Sequence, residues 1–270
     1  MNWLHAIILI IYSASVVGYF IDFVQKNQKA NKIAFWLLSV VWLAQTIFLL
    51  YQNFLSSASM VLNLYDGLYF YAWILVTLSL TINRLFNVDF FVFFTNLLGF
   101  FIMLLHFLTY IGDSFVMEQG TPLIGEILII HIGLAILSYG FFSLSFILSL
   151  MYLLQYHLLK SKRGYPWLKR LGDLERLDRI SFQTVTIGVP SLLLSIVLGV
   201  TWAYQSGTPF YWYDVKTIGS LLVLVVYIIY LFLRLMIGYQ GRAISLYNTG
   251  AFLFLLVNFF LFSSLSTFHF

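Results

Sequence analysis

Histidine is the side chain in this 270-residue sequence that is best suited to bind a metal, because the chain has five histidines and no cysteine. Without cysteine there is no disulfide, no thiol redox chemistry and no Cys-ligated zinc or iron–sulfur site. An imidazole in apolar surroundings needs a partner, which can be a hydroxyl group, a carbonyl group or a metal ion. Each histidine is therefore either a hydrogen-bonded or interfacial side chain or a ligand of a metal or haem. The five are His5, His106, His131, His157 and His269.

Two of them, His131 and His269, are far apart in sequence, yet the helices predicted below place both near the outer face of a membrane. A zinc hydrolase site is poorly supported, because cysteine is absent and intramembrane carboxylates are few. Two imidazoles suit the iron of a flat, apolar cofactor surrounded by aromatic side chains. Aromatic residues make up 20% of the chain, and haem is therefore the candidate cofactor for this pair of histidines.

The segment between the sixth and seventh predicted helices, residues 202–217, is rich in Tyr and Trp. Its outer aromatic loop, residues 204–216, could be an ordinary aromatic belt at the membrane surface. An acid and a base two positions apart, Asp214 and Lys216, also favour fixed polar contacts, and Lys216 could pair with a carboxylate of a bound ligand. The candidate cofactor-binding residues of this segment are Trp202, Trp212, Asp214 and Lys216.

The composition predicts that these side chains are positioned by membrane-spanning helices. Hydrophobic residues make up 61% of the chain and charged residues 9%, whereas a soluble domain carries roughly 25% charge. One crossing takes about 20 apolar residues. The apolar runs predict an all-α, polytopic helical bundle with eight transmembrane helices, at about residues 3–21, 33–51, 60–81, 90–111, 123–157, 180–203, 217–238 and 245–268.

The basic residues predict the orientation of this bundle. Thirteen of the 14 Lys and Arg residues fall in alternate loops on one side, and only Lys216 falls on the other. Because cytoplasmic loops collect basic residues, we predict a bacterial plasma-membrane protein with both termini outside and a basic cytoplasmic loop at residues 158–179. The first apolar run has three lysines after it and no basic residue before it, so it is predicted to be a retained helix and not a signal peptide.

Helix five carries a stripe of polar residues at seven-residue spacing. From Pro122 to about His157 this helix exceeds the hydrocarbon thickness of about 30 Å, so it must tilt or project into the cytoplasm. Its polar stripe should face the interior of the bundle. The stripe consists of His131, Ser138, Ser145 and Tyr152.

Helix six carries small residues four positions apart, which allow another helix to approach closely. These residues are Ser191, Ser195, Gly199 and Ala203. Packing explains them, and we assign them no ligand. Pro190 is expected to kink this helix. The preceding segment, residues 172–179, has the pattern of a short amphipathic helix on the inner membrane surface, and its favoured interpretation is a solvated connector near anionic lipid headgroups.

The C-terminal half of the chain, roughly residues 120–270, resembles the cytochrome c assembly family of haem-handling membrane proteins (CcsA, ResC and CcmC types). Three stretches carry this resemblance: residues 131–140, residues 199–203 with the aromatic loop that ends Asp214-Val215-Lys216, and the terminal Ser266-Thr267-Phe268-His269. In that family two histidines flank an external tryptophan-rich loop and ligate haem, and His131 and His269 fall at the matching positions. The family's Trp-x-Trp-Asp-Pro-Lys-Glu is Tyr-Trp-Tyr-Asp-Val-Lys-Thr at residues 211–217, which is more similar to the HemX branch.

This resemblance implies haem handling, cytochrome c assembly or regulation of haem biosynthesis through the level of glutamyl-tRNA reductase. The implied partners are haem, the lipid bilayer and a cytoplasmic protein such as that reductase, or other membrane assembly subunits, and no nucleic acid. The chain then divides into three N-terminal transmembrane helices, residues 1–90, and a haem-handling core, residues 91–270.

Two other functions stay open. One is a small-molecule permease without haem, whose path is lined by the polar stripe of helix five, although inverted repeats and paired broken helices are not apparent in the sequence. The other is a structural or interaction module of the membrane with no ligand. No nucleophile–base pair suggests catalysis, so we do not expect an enzyme.

Overall fold

A computed structural model of the protein describes residues 2–25, 27–54, 64–86, 89–112, 126–162, 173–205 and 215–262. These residues form eight α-helices and no strand, and the last helix continues into a turn of π-helix at Asn258–Phe262. The helices are α1 (Asn2–Gln25), α2 (Gln28–Phe54), α3 (Leu64–Phe86), α4 (Asp89–Gly112), α5 (Glu126–Lys160), α6 (Leu174–Gln205), α7 (Val215–Leu235) and α8 (Arg242–Val257). The predicted all-helical fold class is confirmed.

The helices have the length and composition of membrane spans. Among the described residues, seven helices are long and apolar enough to cross a bilayer, and α3 contains a shorter apolar stretch, Gly67–Asn83. Many large apolar side chains point outward, such as that of Trp36, which is 70% exposed. Such a surface is stable in lipid and not in water. The chain is therefore a multi-pass membrane protein, and the crossing by α3 stays a prediction.

The chain divides into two compact units, Met1–Ile124 and Gly125–Phe270. Helices α1–α4 belong to the first unit and α5–α8 to the second. The predicted division after residue 90 follows motif content and not packing, so it stays a prediction about function.

In the first unit, small residues and paired polar side chains hold the helices together. A Cβ on Gly18 of α1 would lie 2.9 Å from the Ala34 Cβ of α2, so these two helices are in close contact. Helices α2 and α3 exchange two hydrogen bonds of 2.9 Å, from the Trp42 indole to Thr77 and from the Trp73 indole to Thr46. Because lipid gives helices no hydrophobic reason to associate, such packing and hydrogen bonds supply the association.

In the second unit, α5 and α6 form a tightly packed antiparallel pair. The hydroxyl oxygens of Ser145 and Ser181 lie 2.8 Å apart, and a Cβ on Gly188 would lie 2.7 Å from the Phe142 ring. The Phe142 ring also stacks on the Tyr227 ring of α7, with centroids 3.7 Å apart. The predicted polar stripe accordingly faces the interior, where Ser138, Ser145 and Tyr152 are buried.

The segment predicted to be a separate amphipathic helix at residues 172–179 is instead the beginning of α6. Helix α6 runs without interruption from Leu174 to Gln205 and includes Pro190. Its first turns continue into the packed unit because Leu177 and Ile180 are buried. Helix α5 is 35 residues long, or roughly 52 Å, so the prediction that it exceeds the hydrocarbon thickness is confirmed.

Candidate functional site

The His131 imidazole is held by the main chain of α6. Its Nδ1 lies 2.6 Å from the carbonyl oxygen of Ser195. A carbonyl oxygen can only accept a hydrogen bond, so Nδ1 must carry the proton and donate it. In this tautomer the other ring nitrogen, Nε2, keeps its lone pair. The contact therefore fixes both the orientation of the ring and the nitrogen that can bind a metal.

The two small residues of α6 that surround His131 allow this contact. The Ser195 hydroxyl donates to the carbonyl oxygen of His131 at 2.9 Å, and its oxygen also lies 3.1 Å from Nδ1. A Cβ on Gly199 would lie 2.7 Å from Cε1 of the ring and 3.2 Å from Nε2. The imidazole thus lies directly on the backbone of α6, in space that any larger residue at position 199 would occupy.

Two further candidate residues lie at this end of the second unit. Trp202 follows Ser195 by seven residues, which places it on the same face of α6, and it is half-buried. Lys216 is the second residue of α7, is also half-buried, and acts electrostatically on the His131 imidazole. The structure therefore brings Lys216 near His131 and places Trp202 on the helix face that contacts this histidine, and their parts in a binding site stay predictions.

The remaining predicted site residues, Trp212, Asp214 and His269, lie outside the described residues. Their parts in the site stay predictions. Helix α8, which precedes His269, runs antiparallel to α5: Asn248 donates to Ser145 at 2.7 Å, and Asn258, at the start of the π-helical turn that follows α8, donates to the Tyr139 hydroxyl at 3.4 Å. The last described turns of α8 therefore approach the end of α5 that carries His131.

The other three histidines have different surroundings. His157 lies near the opposite end of α5 from His131. His5 and His106 belong to the first unit, are buried, and contact each other. The sequence did not reveal this pairing, because the two residues are about 100 positions apart and no local pattern links them.

Two polar groups of the second unit were not predicted. Asn248 donates to the hydroxyls of Ser145 and Ser149 at 2.7 and 2.8 Å, and all three side chains are buried. Asp178 forms an ion pair with Arg234 and accepts a hydrogen bond from the Gly241 amide. A polar residue within an apolar run, as Asn248 is, was the available signal.

Comparison with known proteins connects this arrangement to a family. Residues 61–269 match the family described as cytochrome c assembly protein. The chain belongs to this family. The match begins well before residue 120, so it includes α3 and α4 in addition to the stretches that carry the resemblance in the sequence. No solved structure matches the chain.

Individual proteins are similar over much of the chain. Protein HemX of Bacillus subtilis (strain 168) is 50% identical over 261 residues, which cover 97% of this chain and 94% of that protein. Protein HemX of Brevibacillus brevis is 40% identical over 269 residues, or 100% and 98% of the two chains. The cytochrome c biogenesis protein CcsA of Chlamydomonas reinhardtii is 29% identical over 189 residues, or 67% and 51%.

Proposed function

We propose that this protein binds haem b through His131 and His269 and acts in haem handling in the bacterial plasma membrane. Membership of the cytochrome c assembly family and the similarity to HemX proteins support a haem-related role. The observation that carries the proposal is the hydrogen bond from Nδ1 of His131 to the Ser195 carbonyl oxygen. Histidines that bind metals usually donate their other ring N–H to a carbonyl or carboxylate in this way.

The residues around His131 fit a haem group. Nε2 of His131 has the lone pair that an iron ligand needs, and Trp202 could supply apolar contact to the porphyrin. Lys216 could pair with a propionate group. Trp212 and Asp214 would complete the site from the loop, and His269 would be the second iron ligand. When bound, haem would supply an iron centre, which His131 and His269 would hold.

The visible spectrum of the full-length protein purified in detergent tests this proposal. Wild-type protein that is expressed with ample haem should show a Soret band, and His131→Ala and His269→Ala should each lose most of it. His157→Ala is the matched control, because His157 lies near the other end of α5 and should leave the band unchanged. A colourless wild-type protein, or a Soret band that survives both substitutions, would contradict the proposal.

The cytoplasmic role that we propose is regulation of glutamyl-tRNA reductase abundance through the basic 158–179 loop. Lys160, the last residue of α5, and Lys162, in the turn that follows it, are both exposed and available to a partner. Deleting the gene should change the amount of the reductase, and Lys160→Glu/Lys162→Glu should reproduce the change. Lys29→Glu/Lys32→Glu makes the same charge change at exposed lysines of the first unit and should have no effect. An unchanged reductase level after deletion would contradict this role but not haem binding.

A further inference from the structure

The first unit contains a pair of histidines that come from near the start and near the end of its sequence. His5 near the start of α1 and His106 near the end of α4 are 2% and 3% exposed. Their ring centroids lie 5.1 Å apart, with the ring planes at 62°. Nδ1 of His5 and Nε2 of His106 are both shielded from solvent. Two buried imidazoles in direct contact are unusual in a membrane, where polar side chains are commonly functional.

Two aromatic rings enclose this pair. The Phe48 ring of α2 lies 4.7 Å from the His5 ring, and the Tyr69 ring of α3 lies 5.5 Å from His5 and 5.3 Å from His106. Phe48 and Tyr69 also contact each other at 5.1 Å. All four helices of the unit thus contribute one ring to a closely packed group. Rings packed this closely leave no space for a planar macrocycle between the two imidazoles. Imidazoles on opposite faces of a porphyrin would have ring centres roughly 6 Å or more apart, whereas those of His5 and His106 lie 5.1 Å apart.

A thioether lies one helical turn from His106. Met103 precedes His106 by three residues, so both lie on the same face of α4, and Met103 is completely buried. The Gln45 amide donates to the Met103 sulfur at 3.9 Å, and Gln45 lies one turn before Phe48 on α2. The sulfur is therefore held on the side of the helix that carries the histidine pair.

We propose that His5, His106 and Met103 form a binding site for a single Cu(I) ion. Two imidazole nitrogens about 2 Å from one ion, at a trigonal or tetrahedral angle, place the ring centres roughly 5–5.5 Å apart, and the observed separation is 5.1 Å. Imidazole and thioether ligands are those that suit Cu(I). The site is separate from the proposed haem site, because its ligands come from the first unit alone.

The charge of the ion favours Cu(I) over divalent metals. Within the part of the chain that the structure describes, no group of three or more His, Asp or Glu side chains could hold a metal ion. A divalent cation held by neutral ligands would keep two uncompensated charges in an apolar medium, which is strongly unfavourable. A monovalent ion keeps one charge and accepts few, soft ligands.

Anaerobic titration of the purified full-length protein with Cu(I), against a chromophoric Cu(I) chelator as competitor, tests the proposal. Wild-type protein should bind one Cu(I) per chain. His5→Phe and His106→Phe keep an aromatic ring in the packed group and remove the nitrogen ligands, so each should weaken binding at least about 100-fold. Met103→Leu should weaken it about tenfold, because the thioether is the weaker ligand.

Two control variants separate ligand loss from general damage. His157→Phe removes a histidine of the second unit, and Tyr69→Phe removes a hydroxyl from the ring group, and both should bind Cu(I) like the wild type. No Cu(I) binding by the folded wild type, or equal binding by the His5→Phe/His106→Phe double variant, would overturn the proposal. Tighter binding of Zn²⁺ than of Cu(I) would mean that the site is a zinc site, and a Soret band lost only in this double variant would mean that it is a haem site. Either result would overturn the proposal of Cu(I). Unchanged binding by Met103→Leu would remove the thioether from the site. None of these outcomes depends on haem at His131.

Discussion

The two units of the protein hold their histidines through different contacts. In the second unit, His131 donates to one main-chain carbonyl oxygen, and this bond selects both its rotamer and its tautomer. In the first unit, His5 and His106 lie in a group of rings in mutual contact, at centroid distances between 4.7 and 5.5 Å. The same type of side chain therefore lies against a main-chain carbonyl group in one unit and among packed rings in the other.

This difference extends to how each region should respond to substitution. A hydrogen-bonded group that loses its partner leaves an unsatisfied polar atom in an apolar medium, which costs about 1–3 kcal/mol or more. A ring contact mostly contributes packing, so replacing one ring by another of similar shape changes little. The second unit should thus be sensitive to single polar substitutions, and the ring group of the first unit should tolerate ring-for-ring substitutions.

The largest loss of stability is expected from Asp178→Ala in the second unit. Asp178 and Arg234 form an ion pair in which their side chains are 11% and 12% exposed. Removing the carboxylate leaves the Arg234 charge uncompensated, and the free energy of unfolding should fall by about 3–5 kcal/mol. Unfolding of the purified protein in detergent micelles, followed by circular dichroism, measures this change.

The control for Asp178→Ala lies on the same helix. Glu175 forms an ion pair with Arg179, and both side chains are mostly exposed, at 73% and 65%. Glu175→Ala should therefore lower the free energy of unfolding by no more than about 0.5 kcal/mol. Equal losses in the two variants would show that burial does not determine the strength of polar contacts in this unit.

A smaller loss is expected from Asn248→Ala. The Asn248 amide donates to Ser145 and Ser149, and their hydroxyls keep Ser181 as a further partner at 2.8 and 3.1 Å. Because the serines can still bond to each other, the free energy of unfolding should fall by only about 1–2 kcal/mol. Thr249→Ala removes only a bond within α8 and should change stability by ~0.5 kcal/mol or less. A stability change for Asn248→Ala no larger than that for Thr249→Ala would contradict the prediction.

Gly199→Ala tests the directional contact of His131 through haem content. The added Cβ would lie 2.7 Å from Cε1 of the imidazole, so the ring must leave its place against α6. If haem binds at His131 as proposed, the haem affinity should fall about tenfold, which corresponds to about 1.4 kcal/mol. Titration of the purified apoprotein with haem measures this affinity.

The matched control for Gly199→Ala is Gly133→Ala, two residues after His131 on α5. A Cβ at Gly133 meets nothing within 4 Å, and Ala is the better helix former, so haem affinity should not change. Unaltered affinity in Gly199→Ala would mean that the position of the imidazole against α6 does not matter for the ligand.

Local patterns in the sequence predicted the helices and the elements around His131. The long apolar runs identify helices because the backbone N–H and C=O groups of a segment in lipid must form their hydrogen bonds within that segment. The small residues Ser195 and Gly199 indicated the close approach of α6 to another helix. Asp178 lies in a segment that the sequence predicts to be amphipathic and solvated. Its partner Arg234 lies more than 50 positions away, so no local pattern indicates their ion pair. The contact between His5 and His106 likewise depends on how four helices pack, and sequence spacing contains no information on it.

The smallest effect is expected from Tyr69→Phe, which is the sharpest test of the contrast between the units. The Tyr69 hydroxyl is buried and has no hydrogen-bond partner among the residues that the structure describes, while its ring contacts His5, Phe48 and His106. Phe keeps the ring contacts and removes a polar atom that lacks a partner, so the free energy of unfolding should stay the same or rise by up to about 1 kcal/mol.

In the second unit, Tyr139→Phe removes a hydroxyl that accepts from Asn258 and should lower the free energy of unfolding by ~0.5–1 kcal/mol. Opposite signs for the same chemical change would show that the first unit positions its ring group by shape. A clear loss of stability in Tyr69→Phe would mean that a hydrogen bond organises this group as well, and the contrast would be lost.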